Sequence, residues 1–521
     1  MLRVLEESER ISADFSADPV HDLRVAVRRC RSMADGLSAL DPDLNWKAMK
    51  KAGKRLFQRL GNLRDTQIMM EWIEKLSTAR LPAPAQHGGN EGDTAAVEKQ
   101  NPDPAAHALL HILRGREKEQ KLEAQEALQE FDRKQWRHWS KSLPARAARF
   151  RLGSALFKYL ALERWTEARQ LHARALRNRS QTAFHALRIG IKRFRYIVEN
   201  FLPAEHKAWS DDLKQMQDLL GEVHDLDVLW ATANACHVFP DAHSRQNWHN
   251  QILAERNQRL ALYRSKMAGP KSLWNLWRVA LPHGKQVQVL ALRRMKLWAK
   301  GLDPDFAHSE RVAGLALQLY DGLLGSGWRP SVDGVSGRSS LLAAALLHDV
   351  GKSKGQKGHH KASFDLIRAH GNPLGWKPAD LRRAAIIARF HQGALPTRKH
   401  KSLRDLLPDE QKGTIQLAAV LRLANAFDSG HDGHIRRIRV ESENGHRGAV
   451  QTKPQFDRRK PSNGFLRRPT GFGRNEPVVI AAEGYSPFGP SAQTIAAERH
   501  LLETVLRRPV LIKSMKPALS A

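Results

Sequence analysis

Hydrophobic positions recur with helical spacing through most of the first half of the chain, residues 1–270. Apolar residues that return every three or four positions are typical of amphipathic helices. Two stretches interrupt this pattern. The Pro/Gly/Ala-rich segment at 81–106 lacks any apolar period and predicts a disordered loop inside a helical domain, and the segment at 265–285 predicts a connection between domains. Helical spacing then resumes and continues to about residue 429.

The pattern changes from about residue 431 onward. Short β-branched runs appear there, and they flank one further helical segment: IRRIRV, GAVQT, PVVIAAEGY and PVLIK, with AAERHLLETVLRR. We therefore expect a mainly α protein. Because 521 residues exceed what one ordinary core can hold, we also expect more than one domain. The predicted parts are a duplicated helical bundle over 1–268, a linker over 269–285, an all-α domain over 286–430 and a small α+β subdomain over 431–521.

The first half contains an internal repeat. HDLRVAVRRCR at residue 21 returns as HALRIGIKRFR at residue 185, and LGNLRD at residue 60 returns as LGEVHD at residue 220. Two motifs that recur in the same order indicate a duplicated helical unit, and two copies predict a pseudo-symmetric domain rather than a solenoid.

Each copy of the first motif places a histidine and cations on one helix face. His21, Arg24, Arg28 and Arg31 are separated by three or four residues, and so are His185, Arg188, Lys192 and Arg195. We call these two rows the cationic rows. A single basic helix is most often a solvated surface. The repetition with intact spacing favours a polyanion bound between the two helices, since it would relieve the repulsion among the cations.

The net charge supports a polyanionic partner. The chain has 85 Lys and Arg against 54 Asp and Glu, a formal charge of +31, which suits nucleic acid, an anionic membrane or polyphosphate. Few aromatic residues interrupt the cationic rows, whereas single-stranded nucleic acid favours aromatic platforms, so nucleic acid is expected to bind only non-specifically. The sequence has neither the apolar core of a signal peptide nor a stretch of about 20 apolar residues. We expect a cytoplasmic protein that does not enter membranes.

With these repeated motifs, residues 1–268 resemble the CHAD family, the conserved histidine α-helical domain. The resemblance implies two pseudo-symmetric helical bundles around a basic groove that binds inorganic polyphosphate. It also implies that Asp65, Asp225 and Asp227 orient the cations and that Tyr196 stacks or packs among them. The implied polyphosphate contacts are His21, Arg24, Arg28, Arg29, Arg31, Lys54, Arg55, Arg64, His185, Arg188, Lys192, Arg193 and Arg195.

The strongest chemical signal in the second half is AALLHDVGK, which contains His348 and Asp349. With His308 before it and Asp428 after it, this resembles the H…HD…D set of the HD metal-dependent phosphohydrolase superfamily. Imidazole and carboxylate ligands suit Mn²⁺, Mg²⁺ or another divalent metal that activates water and neutralises phosphate charge. Further histidines could complete a second metal position or hold a phosphate. The candidate metal ligands are His308, His348, Asp349, His359, His360, His391 and Asp428.

Residues 286–515 resemble, through several motifs in order, the C-terminal HD-like region of the exopolyphosphatase/guanosine pentaphosphatase family. In that family the hydrolytic site belongs to an actin-like domain with glycine-rich phosphate loops, and this sequence has no such pattern. Any hydrolysis would therefore depend on the HD site, with Asp349 and Lys352 as the catalytic candidates. Lys352 could bind a phosphate or be a solvated residue after a helix. Two alternatives stay open: a non-catalytic module that only holds polyphosphate, and, ranked last, cleavage of a guanosine polyphosphate.

Overall fold

The structure is a computed structural model that describes residues 1–13, 15–78, 103–441 and 476–515. Most of the loop predicted at 81–106 and the predicted strand GAVQT lie outside these residues. The described chain divides into two compact units, residues 1–290 and 291–521. The predicted mainly α fold is confirmed, because helices dominate both units and the described strands form one small sheet.

The first unit consists of long helices. They are α1 Leu2–Ala13, α2 Ala17–Leu37, α3 Leu44–Ala52, α4 Lys54–Thr78, α5 Pro104–Gln129, α6 Arg133–Ala147, α7 Ala155–Asn178, α8 Gln181–Phe201, α9 Pro203–Ala235, α10 Ala242–Met267 and α11 Leu273–Val279, followed by α12 Lys285–Lys300, which contains the unit boundary. The sequence explains several helix starts. Asp103, Asp132, Ser180 and Asp241 each accept a backbone N–H of the following first turn, which satisfies donors that a helix start leaves unpaired.

The helices that bear the two cationic rows, α2 and α8, pack against each other. Near the end of α2, a Cβ on Gly36 would lie 2.3 Å from the Phe201 ring, so only glycine permits this close approach. One turn earlier, Asn200 Nδ2 donates to Ser32 Oγ at 2.9 Å. These contacts fix the distance between α2 and α8, and with it the spacing of the cations on the preceding turns.

The predicted linker contains a packed helix. Within residues 269–285, α11 contacts α7 and α10, and Trp274 and Trp277 have no exposed surface. Trp165 Nε1 donates to the carbonyl of Trp274 at 3.2 Å. This segment therefore adds buried aromatic surface to the first unit.

The second unit has its own hydrophobic core, which extends from Met295 to Val510. Its helices are α13 Phe306–Gly325, α14 Gly334–Leu347, α15 His359–His370, α16 Pro378–Arg389, α17 Lys401–Arg404, α18 Pro408–Phe427 and α19 Ala492–Leu506, with a 3-10 turn at Val350–Lys354. Alanine and leucine fill the buried faces of α14, α16 and α18. Small side chains allow these helices to pack closely, so their ends meet at one place.

Three strands form a small sheet in the order β1-β2-β3. β1 (Arg437–Val440) pairs antiparallel with β2 (Val478–Glu483), and β2 pairs parallel with β3 (Val510–Met515). Parallel neighbours need a crossover, and α19 lies between β2 and β3 in the chain. Of the four predicted strands, the three within the described residues are present. Within the described residues, no helix is both long and apolar enough to span a bilayer.

Candidate functional site

The cationic rows converge where α2 approaches α8. Arg24 and Arg28 on α2 lie at repeat positions equivalent to Arg188 and Lys192 on α8, on the turns that precede the close approach at Gly36. Among the described residues, no carboxylate lies within salt-bridge distance of Arg28, Arg188 or Lys192, and Arg24 Nη2 is 3.9 Å from Asp65 Oδ1. We call Arg24, Arg28, Arg188 and Lys192 the central cluster.

The electrostatics of the central cluster reflect burial first and mutual repulsion second. Burial lowers the pKa of Lys192 to about 8, and the neighbouring Arg188, Arg28 and Arg24 contribute to this decrease. The pKa of Arg24 is also lowered, first by burial and then by Arg28 and Arg188, although Asp65 opposes this change. The cations are thus held together at a cost that a bound anion would relieve.

Tyr196 lies beneath two of these cations. Its ring centroid is 5.8 Å from the Arg28 guanidinium and 5.9 Å from Lys192 Nζ. The Tyr196 hydroxyl is buried without a hydrogen-bond partner among the described residues, and burial raises its pKa. The ring therefore supports cations from both rows.

The second repeated motif places carboxylates and a histidine beside the central cluster. Asp65 on α4 and Asp225 on α9 are repeat equivalents that interact with each other. Burial raises the pKa of the Asp65 carboxyl. The Arg24 guanidinium lowers this pKa, and the Asp225 carboxylate raises it further. His224 stacks against His185, with ring centroids 4.9 Å apart. Sequence reasoning missed His224, although its place in LGEVHD signalled it.

The other predicted polyphosphate contacts lie away from the central cluster. Arg29 and Arg195 approach opposite oxygens of Glu199, each at 3.7 Å, while Arg193 pairs with Glu167 at 2.9 Å. The remaining partners are Glu130 for Arg55, Glu71 for Arg64 and the Lys50 carbonyl for Arg31, whereas His21 and Lys54 are exposed. Asp227 pairs with Arg256 of α10 at 2.9 Å and does not contact the rows.

In the second unit, the predicted ligands lie at helix ends. His308 is in the first turn of α13, His348 and Asp349 follow α14, His359 begins α15, and His391 follows α16. All five side chains are buried. Residues far apart in the chain, from 308 to 391, therefore meet in one buried group.

Asp349 is the centre of this group. Its Oδ1 lies 3.0 Å from His359 Nε2 and 3.7 Å from His391 Nε2. Its Oδ2 lies 3.4 Å from His348 Nε2 and 3.9 Å from His308 Nε2. Burial raises the pKa of the Asp349 carboxyl, but the neighbouring imidazoles and Lys352 lower it by more, so that the pKa is well below its usual range.

The histidines are oriented by backbone carbonyls. Nδ1 of His348, His359 and His391 lies within 2.9 Å of the carbonyl three residues earlier in each case. With Nδ1 held by this contact, Nε2 of each ring is directed at Asp349, where it can bind a proton or a cation. His348 Nε2 is buried without a hydrogen-bond partner in the described structure, and Nε2 of His359 lies 3.2 Å from Nε2 of His391. Facing lone pairs require a proton or a cation between them.

These side chains form two groups that share Asp349. The ligand atoms of His308, His348 and Asp349 lie within 4.8 Å of one another, and so do those of Asp349, His359 and His391. Buried imidazole and carboxylate donors, one of them with an unpaired Nε2, suit a divalent transition metal. The residues present therefore fit a metal.

Two predicted ligands lie outside both groups. Asp428 Oδ2 lies 2.7 Å from His308 Nδ1, and Arg311 Nε donates to the same oxygen at 2.9 Å. Burial raises the pKa of Asp428, but His308 and Arg311 lower it by more. Asp428 thus holds the ring of His308. His360 is adjacent to His359, but its ring centroid is 6.4 Å from that of His391, and burial lowers its pKa.

Lys352, the second catalytic candidate, is largely buried with Nζ 2.5 Å from Asp349 Oδ2. Together they line a cavity of about 240 Å³. Its wall includes polar residues that sequence reasoning missed: Gln392, Arg422, Asn425, His431 and Glu498. Asn425 lies on α18 three residues before Asp428, so helical spacing from that aspartate was the available signal for it. Spacing gave no such signal for Arg422.

Arg422 and His431 each have defined partners. Arg422 donates to the carbonyls of Phe390 and Gly393 and pairs with Glu498 of α19. The His431 ring stacks on His308 with centroids 3.8 Å apart, and its Nδ1 is 2.7 Å from Asp305 Oδ2. Four of the candidate metal ligands, His308, Asp349, His359 and His391, thus line a polar cavity whose other side chains have defined partners.

Comparison with known families assigns both halves. The family model of the CHAD domain matches residues 2–234, and that of the Ppx/GppA phosphatase, domain III, matches residues 293–455. No curated protein matched the sequence. The two matched families support a polyphosphate-related role. The chain therefore joins a region that matches the CHAD domain to a region that matches domain III of the Ppx/GppA phosphatases.

Proposed function

We propose that the first unit binds inorganic polyphosphate in the central cluster. The observation that supports this most strongly is the convergence of four cations from two duplicated helices, three of which lack a carboxylate partner within the described residues. Arginine forks and ammonium groups form charge-assisted hydrogen bonds to phosphate oxygens. A phosphate chain offers a charge on every unit and no base to recognise.

The aromatic content of the groove favours polyphosphate over nucleic acid. Tyr196 lies beneath Arg28 and Lys192 and is half-buried, so its face contacts cations instead of being available to stack on a base. Non-specific binding of nucleic acid through its phosphates is still expected at low salt.

A double-mutant cycle tests this part of the proposal. Arg28→Gln and Lys192→Gln should each weaken polyphosphate binding, and together they should deviate from additivity by about 0.5–3 kcal/mol because both contact one bound chain. Isothermal titration calorimetry at several salt concentrations provides the affinities. The matched control is Arg193→Gln on the same helix, whose guanidinium pairs with Glu167 and which should bind nearly as the wild type does. Additive effects of Arg28→Gln and Lys192→Gln would argue for separate surfaces.

We further propose that the second unit is an HD-type, metal-dependent phosphohydrolase, with polyphosphate as the preferred substrate. His308, His348, Asp349, His359 and His391 would hold one or two divalent ions. A divalent metal such as Mn²⁺ or Mg²⁺ supplies Lewis-acid activation of water and neutralises phosphate charge. The proposal depends on the unpaired, buried Nε2 of His348 and on the two groups of donors that share Asp349.

The chain's own polar groups would hold the phosphate. Lys352 would exchange its contact with Asp349 for a substrate oxygen, and the Asn425 and Gln392 amides on the cavity wall would donate hydrogen bonds to it. These groups line one cavity of about 240 Å³ together with Asp349, His308, His359 and His391.

One observation favours the alternative of a non-catalytic holder of the phosphate chain. The Lys352 ammonium lies 2.5 Å from Asp349 Oδ2 and so neutralises the shared carboxylate without a metal. In that alternative, Lys352 and the histidines form a structural ion-pair network.

The deciding experiment is a comparison of wild type with His348→Ala. The proposal predicts bound metal in the wild type, release of phosphate from polyphosphate with Mn²⁺ or Mg²⁺, and loss of about 100-fold or more of this activity in the variant, because a metal supplies several kcal/mol to the transition state. Polyphosphate binding should be retained. His500→Ala, an exposed histidine of the same unit, serves as control. Equal metal content in wild type and His348→Ala, or a wild-type melting temperature that does not respond to chelator, would favour the holder.

A further inference from the structure

A second group of cations follows the central cluster at the C-terminal part of α2. There α2, α3 and the start of α4 line a pocket of about 370 Å³. We call it the α3 pocket. Its basic lining residues are Arg31, Lys47, Lys50, Lys51 and Lys54. Asp35 is the acidic residue of the lining, and it pairs with Lys50, so the remaining cations lack a balancing charge within the pocket.

The α3 pocket adjoins the central cluster. The ring of Phe57 lies between the two, 5.5 Å from the guanidinium of Arg24 and 5.1 Å from that of Arg31. Arg31 in turn donates to the carbonyl of Lys50 at 2.8 Å. Arg24, which belongs to the cluster, and Arg31, which lines the pocket, thus share one aromatic contact.

Helix stability does not account for all of these cations. Lys50 and Lys51 are in the last turn of α3, where the helix dipole favours positive charge. Lys54, however, is the first residue of α4, where the dipole disfavours it, and Lys47 is in the middle of α3. The sequence therefore concentrates lysines here beyond what the two helices require.

The equivalent end of the second repeat differs in charge. Arg195 and Glu199 correspond to Arg31 and Asp35, and Lys207 and Lys214 correspond to Lys47 and Lys54. The positions of Lys50 and Lys51, however, are occupied by Ser210 and Asp211. Asp218 adds a further carboxylate near Arg195 and Lys214. Burial raises its pKa, and the two cations lower it. Arg195 Nε also lies 3.7 Å from Glu199 Oε2. The duplicated groove is therefore strongly basic at one end and largely neutralised at the other.

We propose that a polyphosphate chain longer than the central cluster extends in one direction only, into the α3 pocket, where Lys47, Lys51 and Lys54 bind its continuing phosphates. The inference rests on polyphosphate binding by the first unit. Asp211 and Asp218 repel the chain at the opposite end. Long chains thus gain affinity over short ones through the α3 pocket.

The test compares two double variants of the full-length protein. Lys47→Gln/Lys51→Gln removes two exposed lysines of the pocket, and Lys207→Gln/Lys214→Gln removes two exposed lysines of the equivalent segment in the second repeat. Affinities are measured for tripolyphosphate and for long-chain inorganic polyphosphate at several salt concentrations, with melting temperatures as a folding control. For long chains, the pocket variant should lose about tenfold in affinity. The slope of the logarithm of its binding constant against the logarithm of salt concentration should become shallower by about two. Its tripolyphosphate affinity and the behaviour of the control variant should match the wild type.

Several outcomes would overturn the inference. One is an unchanged salt slope for long chains in the pocket variant, and another is a control variant that loses as much long-chain affinity as the pocket variant does. The others are a pocket variant that loses as much affinity for tripolyphosphate as for long chains, and a pocket variant that loses only the binding of a single-stranded oligonucleotide. A wild type that binds neither phosphate would instead overturn the proposed function. Long-chain binding that responds to Lys192→Gln but not to the pocket variant would overturn the one-directional extension alone.

Discussion

Lys192 is a half-buried ammonium with three arginines among its neighbours. Arg188, Arg28 and Arg24 repel its charge, Asp65 opposes them weakly, and Tyr196 lies against it. Burial and these neighbours lower its pKa from 10.5 to about 8, so the free protein loses this charge as the pH rises through about 8. A lysine whose folded pKa is lowered costs stability while it is charged, and this cost disappears as the pH rises from about 8 to the ordinary pKa.

This residue predicts a pH dependence of binding. Polyphosphate favours the charged amine, so affinity should fall as the pH rises from about 7 to about 9, and binding near pH 8 should take up protons. Calorimetry in buffers of different ionisation enthalpy measures that uptake. Lys192→Arg should flatten the profile because arginine stays charged. A wild-type profile as flat as that of Lys192→Arg would contradict the prediction.

At the scale of elements, the candidate metal centre depends on how closely the 3-10 turn after α14 approaches α15. A Cβ on Gly351 would lie 2.1 Å from the carbonyl oxygen of His359 and 2.5 Å from the backbone nitrogen of Ser363. The Ser363 hydroxyl accepts from the Gly351 N–H and donates to the His348 carbonyl. Two candidate ligands, His348 and His359, are thus positioned by one glycine contact.

Gly351→Ala should therefore separate the turn from α15. We expect a lower melting temperature and lost metal binding, because the methyl group meets backbone atoms that cannot rotate away. Gly314→Ala is the matched control. At this exposed glycine inside α13, an added Cβ would have no neighbouring atom within 4 Å, so alanine should stabilise the protein by about 0.5–1 kcal/mol. Thermal unfolding and metal analysis of both variants check the pair, and wild-type metal content in Gly351→Ala would disprove the argument.

At the scale of the whole molecule, each unit has a core of its own and one candidate site. The core of the second unit runs from Met295 to Val510, whereas one core of the first is built from α4, α5, α9 and α10. A ligand that binds only the folded form of one unit should stabilise that unit, by about 2.7 kcal/mol at a concentration of about 100 Kd.

Calorimetric unfolding of the full chain should thus show two responses. Without divalent metal, polyphosphate is expected to raise mainly the temperature of the transition that an expressed fragment of residues 1–290 also shows. Mn²⁺ alone is expected to raise the temperature of the other transition. The fragment should bind polyphosphate with the wild-type salt slope and should not respond to chelator. A metal effect on the fragment, or loss of its polyphosphate binding, would contradict this division of the two sites.

The sequence alone determined the helical character, the repeat and the residue types of both sites. Periodicity depends only on neighbouring residues, so the helices that bear Arg28 and Lys192 were predictable, and so was the HD pair at the end of α14. The repeat spacing also made the joint action of the cationic rows a prediction, because equivalent helices in a pseudo-symmetric domain tend to face one groove.

Only the tertiary structure decided which of these residues meet. The Gly36–Phe201 approach selects Arg24, Arg28, Arg188 and Lys192 for the central cluster. Arg55 and Arg193 pair with acidic residues of other helices, which no local pattern identifies. The tertiary structure likewise places the Asp428 carboxylate against Nδ1 of His308, outside both ligand groups. It also brings Asn425 and Arg422 to the wall of the cavity. Distances between side chains far apart in the sequence depend on how helices pack, and packing is set by the size and shape of many buried side chains together.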